Sequence, residues 1–219
     1  MSSDTIALLK DVLFKGFLET LYMVFWATLF AVVLGFLIAL VLTVTKSDGL
    51  KPNKLIYKTL DMIINILRSF PFIILIIAII PLTKALTGSI IGEKAAIVPL
   101  TIGAAPFVAR VVESALNEVD KSLVEAAKSF GASDIQILFK VIVKEAMPSI
   151  ISAITLTTIT IIGYSAMAGA VGAGGLGSVA IMYGYNMFNE RVMIYTIVVL
   201  IILVQCIQSF GNTLYKKLK

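Results

Sequence analysis

The sequence predicts an all-α integral membrane protein with about five transmembrane helices, and three observations carry that class. The 219 residues are 59% hydrophobic and only 14% charged, with a mean hydropathy of +1.01, far above a soluble domain. Residues 20–45 and 192–215 contain no Asp, Glu, Lys or Arg, and each run exceeds the ~20 residues that cross a hydrocarbon core as a helix. Residues 146–189 form a third uncharged run of 44 residues. As one helix it would measure roughly 66 Å, too long for one crossing. The glycine-rich GAVGAGGLG at 169–177 is where it should break, since glycine costs a helix about 1 kcal/mol per residue relative to alanine.

Each element follows in order. The first span is about 17–45. Within it Ala27, Ala31, Gly35 and Ala39 recur every fourth residue, a small-residue ridge that lets another helix approach closely, expected here to pack within one subunit. Before it, residues 4–15 alternate charge with Ile6, Leu9 and Leu13 at helical spacing, which suits either an outer-interface helix or a plain tail. The turn-rich KSDGLKPNKLIYK at 46–58 is a connector. Ser69–Thr83 and Ala95–Ala109 are each uncharged and contain two prolines; with their flanks they give spans of about 59–83 and 95–114. This brings Asp61, Arg68, Arg110 and Glu113 to a membrane boundary, where a long cation can snorkel to water. Arg68 is expected either to do so or to pair with Asp61 or Glu113. The remaining spans are about 148–170 and 191–215, in one membrane domain covering 1–219.

Charge sets the orientation. With the N-terminus outside, the inner segments hold twelve of the basic residues and the outer segments five, as the positive-inside rule requires. The C-terminus is then cytoplasmic. The basic pI of about 9.3 follows from these loops and implies no nucleic acid. No cleavable-signal pattern is read at the N-terminus, so the first span is expected to insert as an anchor. Cys206 is the single cysteine, so no disulfide framework or cysteine metal site is expected.

Residues 118–147 form the longest cytoplasmic segment, around the polar run EAAKSFGASD at 125–134. Ser122 with Glu125, and Ser133 with Gln136, have capping-box spacing, and Gly131 lies where a left-handed residue ends a helix. The expectation is two short helices, about 123–130 and 134–146. Leu123, Ala127 and Phe130 would share one face, and Ile135, Leu138 and Ile142 another. Small residues around Phe130 leave a low surface beside an aromatic knob. A docking site and a bare surface helix pair are equally compatible with this pattern.

The same residues resemble the EAA motif of ABC-importer permeases: Glu125, Ala126, Ala127 and Gly131 match in place. The tail departs from the motif, with Val141 and Val143 for Ile and Leu, Lys144 where proline is expected, and the proline arriving as Pro148. LRSFPFIILI at 67–76 and GYSAMAGAVGAGGLG at 163–177 resemble the methionine-importer branch of that family. The resemblance implies a homodimeric permease lodged in a bacterial inner membrane. A cytoplasmic ATPase homodimer would grip Glu125, Ala126, Ala127, Ser129, Phe130, Gly131 and Ala132, and an extracytoplasmic binding protein would deliver an amino acid. ATP and Mg would bind the ATPase and no cofactor this chain, which has no G-x-x-x-x-G-K-[ST] loop.

Other motifs weigh less. GAGGLG at 172–177 formally fits a dinucleotide fingerprint but follows an apolar helical run rather than a strand, and a helix break at an outer gate suits it better. The chain has no histidine, which excludes Ser-His chemistry at Ser165. Tyr164, Ser165, Met167, Gly172, Gly174 and Gly175 are the candidate pathway and gate residues, a thioether and a phenol suiting an amphipathic side chain. Thr155, Thr157, Thr158 and Thr160 are expected to bond back to their own helix. The rival reading is an ATP-independent channel or secondary transporter, which would mark its path with buried carboxylates; a third is an assembly scaffold. The reading adopted is a permease subunit, not an enzyme.

Overall fold

The computed structural model describes residues 3–219, with side chains from residue 11 onward. Among the described residues the regular structure is all helical, without strands. Helix α1 (Ser3–Thr45) is continuous, so the segment at 4–15 is the start of the first span's own helix. The side chains of Ile6 and Leu9 lie outside the described residues. Helices α5 (Glu93–Asn117), α9 (Met147–Gly169) and α11 (Glu190–Leu218) are the other three that are each long and apolar enough to span.

The stretch expected as one span at 59–83 is instead three helices: α2 (Lys54–Ser69), α3 (Phe72–Ala78) and α4 (Ile80–Thr87). Between α2 and α3 the chain bends by 104°. Pro71 explains the corner: it lacks an N–H for the i−4 carbonyl and pushes Phe70 out of helical geometry, to φ −73°, ψ 126°. Pro99 and Pro106, by contrast, sit inside an unbroken α5. α2 is also strongly two-faced, with Lys54, Lys58, Asp61, Asn65 and Arg68 recurring at helical spacing. It is no plain lipid-facing helix.

The core forms around α1, α5 and α9, with the most extensive contact between α1 and α5. Ala27, Ala31, Gly35 and Ala39 are all buried, and a Cβ on Gly35 would lie 2.5 Å from the Val108 Cβ and 2.7 Å from the Ala105 carbonyl. The small-residue ridge therefore packs inside one subunit. Thr155, Thr157, Thr158 and Thr160 donate to the carbonyls four residues earlier.

Candidate coupling surface and pathway

The polar segment is built from two elements. α6 (Lys121–Ser129) is capped by Asp120, whose carboxylate accepts from the Ser122 N–H at 2.8 Å. That corrects the expected Ser122–Glu125 capping box: the helix begins at Lys121, two residues too early for Ser122 to cap it. The Asp120 carboxyl is held below its ordinary range chiefly by that backbone N–H. The second box is present, with Ser133 Oγ accepting from Gln136 N–H and Gln136 Oε1 from Ser133 N–H. Between them Gly131 is left-handed, φ 78°. The helix expected at 134–146 is α only at its ends: α7 (Asp134–Gln136) and α8 (Val143–Glu145) flank a π-helical Ile137–Ile142. The extra residue per turn rotates the apolar face, burying Ile137, Leu138, Ile142 and Val143 while Ile135 stays exposed.

α6 rests on the core through Val124 and Ala127. No residue of α6 is buried, and Phe130, at its C-cap, is 92% exposed. The face predicted from Leu123, Ala127 and Phe130 is thus split, with only Ala127 turned inward. Glu125, Ala126, Ser129 and Gly131 line the exposed side beside the ring. The connector after α1 holds this unit. Asp48 accepts from Lys121 Nζ at 2.7 Å and pairs with Lys46 at 3.3 Å, and Lys51 lies 3.7 Å from Asp134. The hydrogen bond from Lys121 holds the Asp48 carboxyl down at about 2.

The glycine-rich break lies at the opposite end of α1. α9 ends at Gly169, a loop follows, and α10 (Gly175–Val179) continues into a π-helical Ala180–Asn186. Gly172, Gly174 and Gly175 all have positive φ, 90°, 87° and 76°, the geometry that glycine alone adopts cheaply. The backbones then nearly touch: a Cβ on Gly169 would meet Ser178 N at 2.4 Å, and one on Gly177 the Ala166 carbonyl at 2.4 Å. Sequence reading missed the anchor. Glu19 Oε2 accepts from Gly175 N–H at 2.7 Å and Thr20 Oγ1 from Leu176 N–H at 2.8 Å. Gly92 N–H donates to the Gly172 carbonyl at 2.9 Å.

Of the remaining pathway candidates, Ser165 is buried and donates to the Ile162 carbonyl, so its hydroxyl is occupied. Met167 is exposed. Tyr164 stacks on Phe72 with ring centroids 4.2 Å apart and planes within 8°. The boundary charges pair differently from expectation. Arg110, not Arg68, binds Asp61 and, at 2.8 Å, Glu113; Glu113 is 3% exposed and also accepts from the Tyr57 hydroxyl. One acid from α2 and one from α5 are thus both satisfied by a single arginine.

Residues 31–218 match the family described as the binding-protein-dependent transport system inner membrane component. The chain belongs to this family. Its relatives include a "Probable D-methionine transport system permease protein" of Vibrio cholerae, 49% identical over 99% of this chain and 98% of that one. A D-methionine transport system permease protein of Escherichia coli K12 is 47% identical over 71% of each. Among solved structures, a chain of a methionine ABC transporter in inward-facing conformations is 45% identical, with a TM-score of 0.95 over the whole of both chains. A chain of an amino acid ABC transporter, 20% identical, shares the fold at a TM-score of 0.80. The resemblance drawn from EAAKSFGA and GYSAMAGAVGAGGLG therefore stands, and as an inner membrane component the chain has its place in a membrane. Proteins of this family are transport components rather than enzymes, and the all-helical fold is that of the methionine transporter chain.

Proposed function

We propose that this chain is the permease subunit of an ATP-driven importer of methionine. Two copies would enclose the pathway, a cytoplasmic ATPase homodimer would seat on α6, and an extracytoplasmic binding protein would present the amino acid at the glycine-rich end. Nucleotide and magnesium would bind to the ATPase and no cofactor to this chain. The N-terminus faces outward and the C-terminus inward in this reading, the basic residues favouring the end that carries α6.

The observation that carries the reading is the exposed Phe130 beside Ala126, Ser129 and left-handed Gly131. A ring so uncovered on a short helix needs a cleft, since burying a phenylalanine is worth about 1.5–3 kcal/mol. The chain's own 49% identity to a permease of that name supports methionine as the cargo. As the ATPase subunits close, they would carry α6 with them. The pairs from Asp48 to Lys121 and from Lys51 to Asp134 would pass that movement to the end of α1.

A cysteine at Ser129 in a Cys206→Ala background tests the seat. Crosslinking in gently solubilised membranes is expected to capture a protein bearing a Walker A loop. Stoichiometric capture of a partner without one sinks the reading.

A further inference from the structure

We propose that Arg68 and Tyr164 form a carboxylate-binding site for the amino acid in transit, at the broken helix between α2 and α3. This rests on the importer reading and adds a substrate contact inside the permease itself.

A cavity of about 140 Å³ opens at the 104° corner, lined by Arg68, Phe70, Phe72, Gly103, Phe107 and Tyr164. Its walls are aromatic. Phe72 stacks on Tyr164, and Gly103 makes room for that stack, since a Cβ there would sit 3.0 Å from the Phe72 ring. Two donors face this space without a protein acceptor. Among the described residues Arg68 makes no ion pair or hydrogen bond and the Tyr164 hydroxyl no hydrogen bond.

The acids within reach are committed elsewhere. Asp61, two turns earlier on α2, and Glu113 on α5 both bind Arg110. Arg68 is exposed at a membrane boundary, where a guanidinium is satisfied by water or by an anion, and with Asp61 and Glu113 held by Arg110 an anion here would come from outside the chain. Guanidinium and phenol together suit one carboxylate. The zwitterion's ammonium finds acceptors too: the last turn of α2 ends at the corner, where its final carbonyls lack helical partners, and only a long 3.4 Å bond from Phe70 N–H reaches that of Leu67. Broken helices serve transporters as binding sites for this reason. The aromatic walls take a thioether side chain by sulfur–ring contact.

The test uses the complete transporter, permease with ATPase and binding protein, reconstituted in liposomes, and reads methionine moved per ATP hydrolysed. Arg68→Gln is expected to keep hydrolysis within about twofold and to cut the transport ratio roughly tenfold or more, the loss of a charged hydrogen bond. Arg68→Lys should recover most of it. Tyr164→Phe, which preserves the stack, should cost about threefold. An unchanged ratio in Arg68→Gln overturns the proposal, as does a Lys variant no better than Gln. Transport and hydrolysis falling in step would mark a purely structural arginine and overturn it equally. If Arg68→Gln fails to assemble, Tyr164→Phe decides, and an unaltered ratio there is refutation. Failure of the importer reading is distinct: the unaltered chain would then recruit no ATPase.

Discussion

Phe130 separates what a side chain does for its own fold from what it does for a partner. The ring is 92% exposed, so truncation removes almost no intramolecular contact. Phe130→Ala is therefore expected to leave thermal stability within about 0.5 kcal/mol, as surface changes do. If it fills a cleft of the ATPase, its loss weakens that association by about 1.5–3 kcal/mol, ten- to a hundredfold. A thermal melt beside a titration of the ATPase against the purified permease measures both. Lost stability with unchanged affinity contradicts the assignment. Glu19 is the opposite case, a side chain turned inward onto two consecutive glycines. It holds Gly175 N–H, and a Cβ on Gly174 would meet its carboxylate at 2.8 Å.

At the scale of elements, the tie between the 46–53 connector and α6 is electrostatic and exposed, so its reach in pH can be worked out. Asp48 is lowered from 3.8 to about 2 by Lys121. A depressed carboxyl contributes above its unfolded value and is lost as pH falls from about 4 toward 2. Lys121 is raised above 10.5 by the same partner; that contribution is present below 10.5 and fades only beyond it. Across pH 5–9 the tie should hold constant. Asp48→Asn is expected to speed amide exchange at 121–125 severalfold in high or low salt, while the unaltered chain approaches it only as salt rises. Protection at 121–125, taken relative to the intrinsic base-catalysed exchange rate at each pH, that varied between pH 5 and 9 in the unaltered chain would contradict the pairing. Elements whose rule is local could be read from the chain: the charge-free spans, the Ser133–Gln136 box, the turn at Gly131. What was missed depends on partners distant in sequence. Arg110 rather than Arg68 takes Asp61 because α5 lies across α2, and no spacing within either helix reveals it. Glu19 caps α10 from 156 residues away. The corner at Pro71 looked like the tolerated prolines of α5, since a proline bends or only perturbs a helix according to what supports the freed carbonyl.

For the whole molecule, the long α1 connects the two functional ends, with Glu19 and Thr20 on the glycine-rich segment and the 46–53 connector on α6. Its seat against α5 is the joint through which a movement at one end reaches the other. Gly35 lies in that seat, where a Cβ would meet the Val108 side chain at 2.5 Å and backbone at 2.7 Å. Backbone cannot step aside as a side-chain tip can, so the helices must separate. Gly35→Ala is expected to cost about 1–3 kcal/mol and to loosen both ends, raising amide exchange at 121–129 and at 175–179 together. Gly131→Ala makes an internal comparison, because nothing lies within 4 Å of its Cβ and only the positive φ of 78° is strained. Its cost, about 1 kcal/mol, should stay at the end of α6 and leave 175–179 unchanged. Hydrogen exchange on both variants measures this directly. If Gly35→Ala disturbs one end alone, α1 is not the rigid link between them, and the movement must travel through α5 and α9.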